Sequence, residues 1–276
     1  MGRRGGRRRH PRRRAAGHQP QARRPPGVHE GDGGDVLNVR VGTSGFSYPH
    51  WKHVLYEGVP QRLWLERYAE EFDALELNGS FYHWPKDASF AAWKQRVPRG
   101  FRFAVKAPRG LTHARRLRSP EVWVERIVRS YDVLGAYAGP LLLQLPGTLP
   151  RDDAALDGVL RALPARVPAA VEFRHESWLH DDVFDLLTRR NAAYVVMSGA
   201  HLPCVLRRTS DLVYVRMHGP DPEHLYAGSY SDVDLGWWAE RVREWTGAGA
   251  QVQVYFNNDG EGHAVRNAWT LKGFLA

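Results

Sequence analysis

Eight short runs rich in β-forming residues recur along this 276-residue chain, and helical patterns separate most of them. The runs cover residues 38–42, 74–78, 101–106, 140–145, 169–173, 193–197, 212–218 and 251–257. Strands that alternate with helices favour a parallel sheet. Eight such units in about 240 residues predict an α/β fold of the TIM (β/α)₈-barrel type, whose usual length is roughly 250 residues.

The intervals between the runs carry the 3.6-residue period of amphipathic helices. Apolar side chains recur on one helical face in residues 63–72 and again in 121–134. The interval between the sixth and seventh runs is shorter, and its helix is predicted to be short or missing. An open doubly wound sheet is the alternative, but Gly42-Thr43-Ser44-Gly45 after the first run does not match the G-x-G-x-x-G pattern of dinucleotide-binding sheets.

The positive charge of the chain is concentrated before the first predicted strand. The first 35 residues hold ten arginines and three acidic residues, which accounts for +7 of the formal net charge of +9. Residues 1–36 have almost no large apolar side chains, so we predict a disordered Arg-rich tail followed by one domain over 37–276. Nucleic acid is a candidate partner of the tail. We favour the alternative of an extension without function, read from a start codon placed too far upstream.

Cysteine use and hydropathy point to a cytoplasmic protein. Cys204 is the only cysteine, so no disulfide forms within the chain, which fits a reducing compartment. No apolar run approaches the roughly 18 residues that a membrane helix needs, and no apolar stretch follows the first arginines as it would in an export signal. The composition leaves the oligomeric state open.

Polar side chains occupy the last inward-facing positions of six predicted strands. Side chains two residues apart share one face of a strand, and the apolar neighbours of these residues would face the helices. The residues are Glu76, Asn78, Lys106, Gln144, Glu172, Arg174, Arg216, His218, Tyr255 and Asn257. Because catalytic residues of this fold lie at the carboxyl ends of several strands, we predict a polar site there.

The chemistry of this set favours an enzyme acting on a small anionic substrate that can contain a sugar. Two carboxylates face three permanent cations, and the positive surplus suits a phosphate or carboxylate. Glu76 and Glu172 are predicted as an acid/base or acid/nucleophile pair, with Glu172 ionised by its cationic neighbours. The other residues would bind the substrate, with Tyr82 and Trp178 as stacking walls for a sugar or base and His113 at the rim. The structural alternative is a buried plug of neutralised charges.

Two further function classes stay open. One is a divalent-metal-dependent isomerase or phosphodiesterase that uses Glu76, Glu172, His175 and His218. The chain has no H-E-x-x-H motif and no Cys/His ligand spacing, so no metal and no cofactor is predicted. The other is a non-enzymatic module that binds nucleic acid or a phosphorylated metabolite.

Seven motifs follow one another in a fixed order through residues 38–270. They are residues 42–48 with Trp51, 76–78 with Phe81 and Tyr82, 103–106 with Thr112 and His113, 143–146, 171–175 with Trp178, 214–219, and 255–258. This order resembles the YecE-like family, known as domain of unknown function 72. The resemblance implies a TIM barrel and supplies no reaction. Similar sequences often end the sixth strand in an acidic residue, where this chain has Ser198.

Overall fold

Eight parallel strands close into a barrel in the computed structural model, which describes Gly2 and residues 38–276. The strands are β1 (Val39–Ser44), β2 (Ala74–Leu77), β3 (Arg102–Lys106), β4 (Ala138–Gln144), β5 (Ala169–Glu172), β6 (Ala193–Ser198), β7 (Leu212–Met217) and β8 (Gln251–Phe256). Each strand pairs with the next, and β8 pairs with β1. The predicted TIM-type barrel is therefore confirmed. Apart from Gly2, the predicted tail over residues 1–36 lies outside the described residues.

Helices connect the strands on the outside of the barrel. They are α1 (Trp64–Glu71), α2 (Gly79–Tyr82), α3 (Asp87–Lys94), α4 (Glu121–Leu134), α5 (Asp153–Ala162), α6 (Asp181–Arg189), α7 (Asp232–Gly247) and α8 (His263–Leu275). Helix α4 has the predicted bounds. Residues 199–211, which join β6 to β7 and are all described, contain no helix. This agrees with the short spacing between the sixth and seventh runs.

Apolar side chains fill both sides of the barrel wall. On the outer side, the longer helices turn a buried apolar face to the strands, as α6 does with Val183, Phe184 and Leu187. The inner cluster consists of Ala74, Ala104, Leu142, Ala170, Ala193, Val195, Met197, Tyr214 and Tyr255. Several of its members precede a predicted site residue by two positions, as Ala74 precedes Glu76. The polar residues therefore rest on an apolar floor at the carboxyl ends of the strands.

The hydroxyl group of Tyr68 fixes the contact between β1 and β2. It accepts a hydrogen bond from the Thr43 backbone N–H at 2.8 Å and donates one to the Ala74 carbonyl at 3.0 Å. Gly42 is required here, because a Cβ atom at this position would lie 2.0 Å from the Ala74 carbonyl oxygen. The resulting register sets Ser44 directly opposite Glu76, at the end of both strands.

Candidate active site

Arg216 joins the two predicted catalytic glutamates in the centre of the barrel. Its Nε and Nη2 atoms bind the two carboxylate oxygens of Glu76 at 2.9 and 2.7 Å, and its Nη1 atom lies 2.6 Å from Glu172 Oε2. The two carboxylates are fully buried, and the guanidinium is almost so. The structure thus brings Glu76, Glu172 and Arg216 together as one ion-paired cluster, which we call the charged trio.

Glu76 has its acceptor capacity filled. Besides the two bonds from Arg216, Oε1 accepts from the Ser44 hydroxyl and Oε2 accepts from the Tyr214 hydroxyl at 2.7 Å. Burial raises the pKa of Glu76, but the Arg216 charge and these hydrogen bonds outweigh it, so the pKa is lowered. An ionised carboxylate offers about four acceptor positions, and none is left for a substrate.

Glu172 is held by two guanidinium groups. Arg174 Nε donates to Glu172 Oε1 at 2.5 Å, while Arg216 binds the other oxygen. Burial raises the pKa of Glu172, but Arg216 and then Arg174 outweigh it and hold the pKa well below its usual range. A carboxylate this stable is a weak proton donor and a weak base. This arrangement suits a counter-ion, and the acid/base role of the glutamates stays a prediction.

His218 is buried beside the charged trio. Its Nε2 atom lies 3.7 Å from Glu172 Oε2 and 3.4 Å from Arg174 Nη2, and Asn257 Nδ2 approaches its Nδ1 atom at 3.2 Å. Burial and then the Arg216 charge lower the pKa of His218 to about 4. The ring is therefore neutral at pH 7 and adds no charge to the cluster.

Lys106 supplies a cation without a counter-ion. Its Nζ atom lies 4.5 Å from the centre of the Phe81 ring, and the amine has no ion pair or hydrogen bond within residues 38–276. Burial and then Arg216 lower the pKa of Lys106 to about 8. Lys106 is only half-buried, and the Arg174 side chain is 11% exposed. These two cations are the charged groups of the cluster that a ligand can reach.

Amide side chains flank the two cations. Gln144 ends β4 in register with Glu172, and Asn257 follows β8 next to His218. Asn78 donates from Nδ2 to the Ser44 hydroxyl oxygen at 2.5 Å, while its Oδ1 atom is buried and has no partner among the described residues. All three residues are partly exposed, so they can contact a ligand over the charged trio.

A groove of about 490 Å³ opens beside Asn78. Its walls are mostly apolar and consist of Gly45, Phe46, Ser47, Tyr48, Leu77, Asn78, Gly79, Ser80, His83, Pro85 and Trp93. The Ser80 hydroxyl contacts the backbone oxygen of Lys106 at 2.7 Å, which ties the groove wall to β3. The groove and the charged cluster therefore meet at Asn78.

Three predicted site residues differ from the rest: Tyr255 and Trp178 lie away from the cluster, whereas Tyr82 contacts the Phe81 ring. Tyr255 belongs to the inner apolar cluster, and its hydroxyl donates to Gln253 Oε1 at 2.7 Å. Trp178 is fully buried and donates its indole N–H to the Leu149 carbonyl at 2.8 Å. Tyr82 is 74% exposed and contacts Phe81 edge-on. The polar groups of Tyr255 and Trp178 have protein partners, so neither is placed to orient a substrate.

His113 reaches the cluster through Phe81. Its ring centre lies 4.9 Å from that of Phe81, which also carries the Lys106 amine. The Thr112 hydroxyl lies 3.0 Å from His113 Nδ1. Burial and then the Lys106 charge lower the pKa of His113, so its ring is neutral near pH 7. His113 and the Lys106 amine therefore contact the same aromatic ring.

Sequence reasoning missed two residues that shape the site, Ser44 and Tyr214. Tyr214 has the inward parity of Arg216, and that signal was present in the sequence. Ser44 was not found because the first strand was expected to end at Gly42. Ser198 bonds to the Tyr230 hydroxyl at 2.9 Å, on the side of β6 that faces the helices. The position where similar sequences often carry an acid therefore contacts Tyr230.

The residues named for a metal site are distributed differently. Glu76 and Glu172 are bound to Arg216, and His175 Nδ1 accepts from the Ser177 backbone N–H at 3.2 Å. Within the described part of the chain, no group of three or more His, Cys, Asp or Glu side chains is placed to hold a metal ion.

A membrane-spanning helix needs greater length and a more apolar sequence than any helix described here has.

A family model described as "Protein of unknown function DUF72" matches residues 40–276. The UPF0759 protein YecE of Escherichia coli K12 is 31% identical over 138 residues, which cover 50% of this chain and 48% of YecE. The match thus spans about half the length of that relative. The UPF0759 protein YunF of Bacillus subtilis 168 is 26% identical over 234 residues, covering 74% of this chain and 83% of YunF.

Solved structures show the same fold. A DUF72 family protein from Thermotoga maritima MSB8 has a TM-score of 0.78 and 29% identity, covering 86% of this chain and 98% of its own. A DUF72 family protein from Enterococcus faecalis V583 has a TM-score of 0.77 and 21% identity, covering 86% and 95%. The second likeness supports the barrel fold alone.

Proposed function

The chain belongs to the DUF72 family, and on that premise we propose that it is an enzyme whose small anionic substrate binds over the charged trio, between Lys106 and Arg174. The observation that carries this proposal is the unpaired Lys106 amine at the carboxyl ends of the strands. A half-buried cation without a counter-ion favours a ligand that supplies the negative charge.

The charge count supports an anion. The two carboxylates, Glu76 and Glu172, are neutralised by Arg216 and Arg174, and His218 is uncharged at pH 7. Protonated Lys106 is then the surplus charge. Arg174 uses Nε on Glu172 and leaves Nη1 without a partner within residues 38–276, so it can donate to a phosphate or carboxylate.

Lys106 also favours an enzyme over a binding module. Its pKa of about 8 lets the amine exchange a proton near neutral pH, which an ordinary lysine does not. In this proposal Glu76 and Glu172 position the arginines, and Asn78, Gln144 and Asn257 orient the substrate. We also propose a cytoplasmic location, which the free thiol of Cys204 fits.

Binding of glucose 6-phosphate and of glucose, measured by calorimetry, tests the anion site. We expect the phosphate ester to bind and neutral glucose to bind far more weakly. Replacing Lys106 with Met should weaken binding of glucose 6-phosphate by about tenfold or more, since a charged hydrogen bond is lost. The exposed Lys52→Met protein is the matched control. Equal affinity of wild type and Lys106→Met, or equal binding of both sugars, would contradict the proposal.

A further inference from the structure

Lys106, Phe81 and His113 form a group whose chemistry goes beyond holding an anion. The Lys106 amine and the His113 ring lie 4.5 and 4.9 Å from the centre of the same Phe81 ring. The Thr112 hydroxyl occupies the Nδ1 side of His113, and Nε2 has no partner among the described residues. A neutral imidazole with one free nitrogen can accept and return a proton.

The other lysines of the chain are placed differently. The chain has five, and Lys52 and Lys86 are exposed. Lys94 donates its amine to the Val133 carbonyl at 2.5 Å, and Lys272 donates to the Glu71 carbonyl. Only the Lys106 amine, within residues 38–276, is both withdrawn from bulk water and free of an acceptor. A lysine amine in such surroundings and near other cations loses its proton readily and becomes a nucleophile.

We propose that Lys106 forms an imine with the carbonyl group of the substrate, and that His113 carries the proton between nitrogen and oxygen. This inference rests on the proposed function, because Arg174 would hold the anionic group of the same substrate. The substrate class is therefore an aldehyde or ketone that carries a phosphate or carboxylate. Phe81 is the apolar ring that both the nucleophile and the proton carrier contact.

The step balances without an oxidant or a metal. The Nζ lone pair attacks the carbonyl carbon, a C–N bond forms, and the C=O π electrons move to oxygen. His113 Nε2 takes one proton from nitrogen and returns it to that oxygen, which gives a carbinolamine with one N–H and one C–OH group. The nitrogen lone pair then forms the C=N bond as the C–O bond breaks, and His113 carries the second N–H proton to the departing oxygen, which leaves as water. One amine and one carbonyl group give one imine and one water.

Reductive trapping tests this inference on the full-length protein. The probes are glyceraldehyde 3-phosphate and glyceraldehyde, each reduced with cyanoborohydride, and peptide mass spectrometry locates the adduct among the five lysines. We expect glyceraldehyde 3-phosphate to label Lys106 before Lys52 and Lys86, and inorganic phosphate to slow the labelling. In Lys106→Arg a cation is kept but the amine is lost, so the total labelling by glyceraldehyde 3-phosphate should fall to the sum of that at the other four lysines. His113→Gln should slow adduct formation by about tenfold or more, since its proton transfer is lost.

The outcomes separate this inference from the proposed function. If both aldehydes label Lys106 first and at equal rates, and phosphate does not protect, the amine is nucleophilic and the anion site is wrong. If phosphate binds but Lys106 is labelled no faster than Lys52, the imine is wrong and the anion site stands. Unchanged labelling in His113→Gln would remove His113 from the step.

Discussion

The Ser44 hydroxyl fixes the direction of the Asn78 amide. The ionised Glu76 carboxylate can only accept hydrogen bonds, so the Ser44 hydroxyl donates its single hydrogen to Glu76 Oε1. The Ser44 oxygen then accepts from Asn78 Nδ2 at 2.5 Å and from Arg216 Nη2 at 3.2 Å. The amide cannot flip without losing this bond, so the acceptor Oδ1 stays on the other side, where it is buried without a partner among the described residues.

Replacing Glu172 with Gln should destabilise the protein strongly. The substitution keeps the shape of the side chain, but it leaves Arg174 without its carboxylate partner and Arg216 with Glu76 alone. Removing one member of a buried ion pair costs about 3–5 kcal/mol in the free energy of unfolding, which urea denaturation measures. Asp132→Asn, which breaks an exposed pair with Arg166, should change little. Comparable losses in the two variants would contradict the buried role.

His218 should make the protein sensitive to mild acid. Its pKa is about 4 when folded and 6.5 when exposed, so the unfolded chain takes up the proton first as the pH falls. The stability that neutral His218 contributes is complete above pH 6.5 and is lost down to about pH 4. Relative to His218→Asn, the wild type should lose roughly 3 kcal/mol over this range, since each pKa unit is worth about 1.4 kcal/mol. Parallel pH profiles of the two proteins would contradict this.

Lys106 should make the stability of the protein depend on pH in the alkaline range. Its pKa falls from 10.5 to about 8 on folding, so the unfolded chain holds the proton longer and stability rises as the pH increases from 8 to 10.5. The cost of keeping this amine charged is fully present below pH 8. Lys106→Met should lack the rise and be more stable at pH 7 by roughly 2 kcal/mol, allowing for partial exposure. Lys52→Met should show the same profile as wild type.

The barrel and the inward parity of its polar residues could be predicted because both are local properties. Alternation within each run already sets Glu76, Glu172 and Arg216 on the inner face. However, parity predicts only which face of a strand carries a side chain, and it does not predict how deep in the barrel that side chain lies. Tyr255 precedes Asn257 by two positions, so it has the same parity, but it lies one layer deeper among apolar side chains.

The contacts across the barrel could not be predicted. The pairing of Arg216 with both glutamates depends on how eight strands close, which no single run encodes. Ser44 was missed because β1 continues past Gly42, where the Tyr68 hydroxyl bridges two strands that approach too closely for a side chain. Trp178 could not be separated from a pocket residue until its bond to the Leu149 carbonyl was seen.

The charged trio has a consequence for how sequences of this fold diverge. Losing Arg216 leaves two buried carboxylates facing each other, and losing either glutamate leaves a guanidinium short of a partner. Every single substitution that breaks the charged trio therefore gives a less stable protein, which a diverging lineage would have to tolerate. We expect the three positions to be inherited together or replaced together, even in lineages whose ligand-contacting residues have changed. The trio would then record shared descent more faithfully than it records a shared substrate.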